Sequence, residues 1–160
     1  HNRSRLTPQL EAECRAAYVS KDELLARADH VVLVLPFTPE NRHTIGAAEL
    51  ARMKPTATLV NIARGGIVDD AALAAALKNR TIAAAGLDVF EGEPALNPAL
   101  LTVPNVVLTP HIASATMGTR LAMADLAADN LIDFFAGEGP RTPVNQPDGQ
   151  AAARRAQLAE

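Results

Sequence analysis

Apolar and polar positions alternate in blocks along the chain, and each block has a recognisable period. "HVVLVLP", residues 30–36, is a continuous run of mostly β-branched residues closed by a proline, the pattern of a strand buried on both faces. "ATLVNI" (57–62), "IAAAGLDVF" (82–90) and "NVVLTPH" (105–111) repeat that character and predict three more strands. Helical stretches fall between them. "SKDELLARA" opens with Ser20 and carries Glu23 three residues on, which predicts a capping box. "AAELARMK" stops before Pro55, and "DDAALAAALKN" offers Asp69 or Asp70 as its N-cap. A long amphipathic helix is predicted over "ATMGTRLAMADLAADNLIDFFAG", with Gly137 at its C-terminal cap. Buried strands alternating with helices predict a parallel sheet with right-handed crossovers, an open doubly wound α/β layer.

Bulk properties narrow the field without redirecting it. With 160 residues the chain can bury a sizeable core, and a net charge of −3 gives no electrostatic reason for nucleic-acid binding. Aromatic content of 3% argues against base-stacking surfaces, and no apolar run is long enough for a membrane span. Cys14 is the single cysteine, so no internal disulfide forms and a reducing, cytoplasmic setting is expected. Neither "HNRSRL" at the start nor any later stretch reads as a signal peptide.

Ligands of open α/β sheets bind outside the carboxyl ends of the strands, so chemistry is sought there. These ends read Pro36 and Thr38, then Asn61 to Gly66, then Asp88 to Pro94, then Thr109 to Thr116. Arg64 brings a permanent, fork-shaped cation to one of them, and Gly65 and Gly66 let the backbone turn sharply beside it. On residue type alone it reads equally as a surface arginine of a loop. Glu93 and His111 follow adjacent strand candidates and are placed to meet, and a carboxylate beside imidazole makes a general acid. Their plainer alternatives are a loop glutamate and a capping or core histidine. Asp88, ending an apolar strand, needs hydrogen-bond donors, either a ligand amide or neighbouring backbone N–H groups. No second His or Cys stands at ligand spacing, so no metal site is expected.

Three blocks, "VNIARGGIVDDAALAAAL", "AAAGLDVFEGEP" and "NVVLTPHIASAT", together resemble the D-isomer-specific 2-hydroxyacid dehydrogenase family in order and spacing. The resemblance implies a Rossmann-type cofactor domain and hydride transfer between NAD(P)H and a short 2-oxo acid. Among its members the glyoxylate/hydroxypyruvate reductases look most similar. It implies that Arg64 grips the carboxylate and carbonyl of the oxo acid, that His111 protonates the carbonyl oxygen, and that Glu93, rather than Glu91, pairs with His111. Asp88 would accept from the nicotinamide carboxamide, Leu35, Pro36, Thr38, Ile62 and Ala63 would line the cofactor, and Ser114 would lie near it. Where NAD-preferring members end a strand with an acid, this chain has Asn2, Arg3, Ser4 and Arg5, which suit a 2′-phosphate and favour NADP over NAD.

The fingerprint G-x-G-x-x-G does not occur in the 160 residues, so the unit carrying it is expected before His1. Residues 1–113 are accordingly read as the later part of a cofactor domain, 114–145 as a helix and return segment toward a substrate domain, and 146–160 as a tail. By itself the chain is expected neither to hold a dinucleotide tightly nor to turn over substrate. A small 2-oxo or 2-hydroxy acid is the expected partner, with neither nucleic acid nor membrane, and the family implies a homodimer. A dinucleotide-sensing corepressor on the same fold is the alternative.

Overall fold

A computed structural model describes residues 1–144. They fall into two units, one spanning residues 1–113 and one beginning at Ser114. The tail expected over 146–160 lies outside the described residues.

The first unit is built on four parallel strands, β1 (His30–Leu33), β2 (Thr58–Asn61), β3 (Ala84–Leu87) and β4 (Val106–Leu108), arranged in chain order β1-β2-β3-β4. Val31, Leu59, Ala85 and Val106 share one register row, and Leu33, Asn61, Leu87 and Leu108 share another. Around the strands run the helices α1 (Pro8–Glu13), α2 (Lys21–Arg27), α3 (Ala47–Arg52) and α4 (Asp70–Lys78), with 3₁₀ turns at Pro39–Asn41 and Pro98–Thr102.

Sequential order decides where the core lies. Right-handed crossovers that always step in the same direction all pass over the same face of the sheet. The core is accordingly one-sided: Val31, Leu33, Leu59 and Leu87 are buried together with Leu50, Leu73 and Leu77 from α3 and α4. On the opposite face Val32 is 53% exposed and Val107 68%. This corrects one expectation, since the strands are buried on one face rather than both. The parallel α/β layer itself is as expected, and the described strands are a part of it that steps in one direction. Pairing also ends at Leu33 rather than running to Pro36, and Val34 is exposed.

Helix ends follow local chemistry. Asp69 caps α4 by accepting from Ala72 N–H at 3.0 Å, which leaves Asp70 as the first helical residue. Ser20 caps α2 through Glu23 N–H at 3.1 Å. The reciprocal half of the expected capping box is missing because the Glu23 carboxylate pairs with Arg27, one turn on. In the second unit α5 (Met117–Phe135) is capped by Thr116, and Gly137 follows its end with φ of 85°, a left-handed position suited to glycine. Arg141 folds back to Asp129 and Asp133 of α5, and Thr142 N–H donates to Asn130.

A one-sided core makes a direct prediction for this chain. Leu59→Ala is expected to cost about 2–5 kcal/mol, whereas Val107→Thr should stay within about 1 kcal/mol of the parent; urea unfolding of both variants measures the contrast.

Candidate active site

Three turns converge beyond the carboxyl ends of β2, β3 and β4. After β2 the chain turns at residues 61–66. Asn61 is buried and organises this turn, accepting from Ala63 N–H and donating to the Arg64 carbonyl, both at 3.1 Å. Arg64 is exposed, its guanidinium donates to the Ala63 carbonyl at 2.6 Å, and it has no carboxylate partner among the described residues. Its neighbour Gly65 is pressed against the next turn. A Cβ built there would lie 1.8 Å from the Phe90 carbonyl oxygen, so only glycine permits this approach.

That next turn, 88–94, carries two acids with separate partners. Glu93 Oε2 lies 2.8 Å from His111 Nδ1, and Glu93 Oε1 accepts from Phe90 N–H at 2.7 Å. Glu91 instead takes His43 Nε2 at 2.9 Å and the Arg42 guanidinium. Burial pushes the Glu93 carboxyl up, but hydrogen bonds from His111 and Phe90 outweigh it and hold it below the ordinary carboxylate range. Glu91 is also held low, by hydrogen bonds from Arg42 and His43. Asp70 is displaced the other way: burial raises it, although its carboxylate accepts from Glu91 N–H at 3.0 Å.

The third turn carries His111, whose backbone is left-handed at φ of 54°. A side chain other than glycine holds such a conformation only where its surroundings fix it. Asp88 does the fixing. Its Oδ1 accepts from Thr109 Oγ1 at 2.6 Å and Ile112 N–H at 2.9 Å, and its Oδ2 accepts from Ala113 N–H at 2.8 Å. Burial alone would raise the Asp88 carboxyl, yet these donors keep it below the ordinary range. Of the two uses open to Asp88 from sequence, backbone donors are therefore the one seen.

Phe37, Arg42, Arg64, Gly65, Gly66, Phe90, Glu91, Gly92, Glu93 and His111 enclose a cavity of about 300 Å³. Arg64, Glu93 and His111 thus share one wall system, and a carboxylate can only accept, so His111 Nδ1 must be the donor to Glu93. Nε2 is left to exchange a proton with a ligand. The residues expected to line a cofactor are more dispersed. Pro36 and Ile62 are exposed at the carboxyl ends of β1 and β2, while Leu35 and Thr38 are partly buried. The Ala63 side chain is in the core, which leaves its backbone and the exposed Ile62 next to it at that point of the edge. Asn2, Arg3 and Ser4 form an exposed turn tied down by Tyr18 Oη donating to the Asn2 carbonyl, and Arg5 is engaged by Glu11. Ser114 opens the second unit. Pro36 and Ile62 offer exposed apolar surface at the carboxyl edge of the sheet, the edge that also carries His111, and such a surface fits the flat ring of a dinucleotide.

Sequence reasoning did not find Phe37, Arg42, His43, Asn61, Asp70 or Phe90. Only Asn61 carried a signal, as a polar residue ending an apolar strand.

A parallel α/β sheet with arginine, glutamate and histidine gathered at its carboxyl edge is the architecture of a dinucleotide-dependent enzyme domain. Residues 1–113 match the family model described as D-isomer specific 2-hydroxyacid dehydrogenase, NAD binding domain, and the chain belongs to that family. It is 55% identical over 139 residues to a glyoxylate reductase of Thermococcus gammatolerans, covering 87% of this chain and 42% of the relative. A crystal structure of a glyoxylate reductase from Paecilomyes thermophila matches with a TM-score of 0.79 at 43% identity, over 90% of this chain and 43% of that one. An NADPH-dependent glyoxylate/hydroxypyruvate reductase from Sinorhizobium meliloti, solved with NADP and malonate, matches with a TM-score of 0.74 at 43% identity, over 81% of this chain and 40% of that one. The chain therefore spans less than half the length of each of these relatives.

Two predictions follow from the geometry. Gly65→Ala must push the 61–66 and 88–94 turns apart, at a cost of about 1–3 kcal/mol or more, read as a lowered urea midpoint. Asp88, Glu91 and Glu93 each titrate lower in the folded state than in the unfolded chain. Their stabilisation is fully present above the ordinary carboxylate value of about 4 and is lost as pH falls through the folded midpoints. Asp70 acts in the opposite sense, its burden easing as pH falls. Unfolding measured between pH 7 and pH 3 should show a net loss on acidification, shallower in Glu91→Gln.

Proposed function

We propose that the whole protein reduces a short 2-oxo acid of the glyoxylate or hydroxypyruvate type to its D-2-hydroxy acid, and that this chain supplies the acid–base part of the site. The observation that carries the reading is the pairing of His111 Nδ1 with Glu93 at 2.8 Å in the cavity that Arg64 also lines. Arg64, lacking an internal carboxylate partner among the described residues, is free to bind the substrate carboxylate bidentately and to polarise the adjacent carbonyl. Glu93 fixes the His111 tautomer and ring orientation, and the imidazole delivers a proton from Nε2 to the carbonyl oxygen. Bound NAD(P)H supplies the hydride to the carbonyl carbon. Asp88 holds the 111–113 turn in place and offers its remaining acceptor capacity to the nicotinamide carboxamide. Pro36 and Ile62 would give the ring an apolar surface, with Leu35, Thr38 and the Ala63 backbone completing the lining.

NADP is the proposed dinucleotide, on the exposed Asn2-Arg3-Ser4 turn and the lack of an acid in it. The enzyme is placed in the cytoplasm, which suits the free, exposed Cys14, and on family grounds it acts as a homodimer. No helix among the described residues is long and apolar enough to cross a membrane. The reductase names of the relatives do not favour the corepressor alternative.

Steady-state kinetics of the whole protein with glyoxylate test the assignment. His111→Gln is expected to lower kcat by about 10²–10⁴-fold while NADPH binding, followed by fluorescence, persists. Arg64→Lys should raise KM sharply, since an ammonium cannot reproduce the fork. Unchanged turnover in His111→Gln would overturn the mechanism, and a strong preference for NADH over NADPH would overturn the choice of dinucleotide.

A further inference from the structure

Glu91 stands two residues from Glu93 and makes none of the contacts assigned to catalysis, yet it is among the most firmly held side chains of the site. Its carboxylate accepts from His43 Nε2 at 2.9 and 3.0 Å and from the Arg42 guanidinium. Its backbone N–H donates to Asp70 Oδ2 at 3.0 Å, at the first turn of α4. His43 is itself fixed, since its N–H donates to the Gly66 carbonyl at 2.8 Å, and the strand-like pairing continues through Ile45 and Val68. Glu91 therefore ties the turn that carries Glu93 to the segment that flanks Arg64.

The direction of successive amides shows what this anchoring achieves. Phe90 N–H points to Glu93 Oε1, and the next N–H, of Glu91, points to Asp70. Glu93 consequently reaches His111 with its other oxygen while braced against its own backbone. Between the two acids Gly92 is left-handed at φ of 80°, with only loose contacts near its Cβ position, so it adds little stiffness of its own. The side chains that grip Glu91 therefore add to the packing of the turn against Gly65 in making it rigid.

We propose that Glu91, anchored by Arg42, His43 and Asp70, is a positioning residue that aims the Glu93 carboxylate at His111. The proposal rests on the reading of Glu93 and His111 given above, but its structural part is measurable without turnover. The Glu93 carboxyl titrates low because it accepts from His111 and Phe90. Loosening the turn weakens both bonds and moves its midpoint up. Removing the Glu91 charge without any movement does the reverse or nothing, because a lost negative neighbour lowers a carboxyl midpoint. The sign of the change separates positioning from simple electrostatics.

The test follows the Glu93 side-chain carboxyl carbon by NMR during pH titration of the ¹³C-labelled chain. In Glu91→Ala the midpoint is expected to rise by about half a pH unit or more, and Glu91→Gln, which keeps an acceptor for Arg42 and His43, should restore most of the parent value. Should Glu91→Ala not fold, His43→Ala removes one anchor and is read the same way, with a smaller rise expected. A midpoint that stays or falls in a folded variant overturns the proposal. In the whole protein Glu91→Ala should lower kcat about tenfold with KM little changed. A raised Glu93 midpoint with undiminished kcat would leave the positioning standing and overturn instead the catalytic role given to the Glu93–His111 pair.

Discussion

The site depends on how closely two backbones approach each other. Gly65 lies so near the Phe90 carbonyl that a methyl group in place of its hydrogen would overlap it. This contact sets how near the two turns can come, and the bonds from Arg42 and His43 to Glu91 hold them at that distance, so Arg64 and Glu93 are placed without a bond between them. The close-packed interior behind the turns gives that contact its stiffness. Ile67 and Val68, immediately beyond the first turn, and Val89, within the second, are fully or almost fully buried.

Carboxylates around this contact divide the work according to what surrounds them. Asp88 spends its acceptors inside the fold and thereby fixes a strained histidine backbone. Glu93 keeps one oxygen for its own turn and one for imidazole. Asp70 is the most enclosed of the group, and burial rather than neighbouring charge dominates its titration. One residue type thus serves as brace, partner and anchor, and the difference is made by the number of N–H donors each one meets.

Much of this was legible in the sequence, though unevenly. Apolar runs located the four strands because their inward positions must be apolar, and Ser20 and Asp69 announced helix starts through capping chemistry. Asp88 stood out because a carboxylate ending an apolar run is costly without donors, whereas Arg64, Glu93 and His111 each had a plainer reading until three blocks of sequence together resembled one family. Burial on the second face was misread, since a run such as "HVVLVLP" shows that both faces are apolar but not that both are covered. His43 and Arg42 were invisible because nothing local marks them. Their partner is forty-eight and forty-nine residues away and is reached only once the sheet is assembled. Glu91 and Glu93 stand two residues apart, the second marked by the proline that follows it, and their contacts diverge in ways no pattern encodes.

Strand order carries one more consequence. Because spatial order equals chain order, every strand after the first pairs with the strand that precedes it in sequence. A chain emerging from synthesis can therefore extend its sheet without waiting for a distant segment to return, keeping loop-closure distances short. The functional groups follow the same schedule. Arg64 becomes available after the second strand, Glu93 after the third, and His111 only after the fourth. His111, the proton donor of the proposed mechanism, is thus the last of the three groups the growing sheet acquires, and a partly made domain presents Arg64 before the histidine proposed to act beside it.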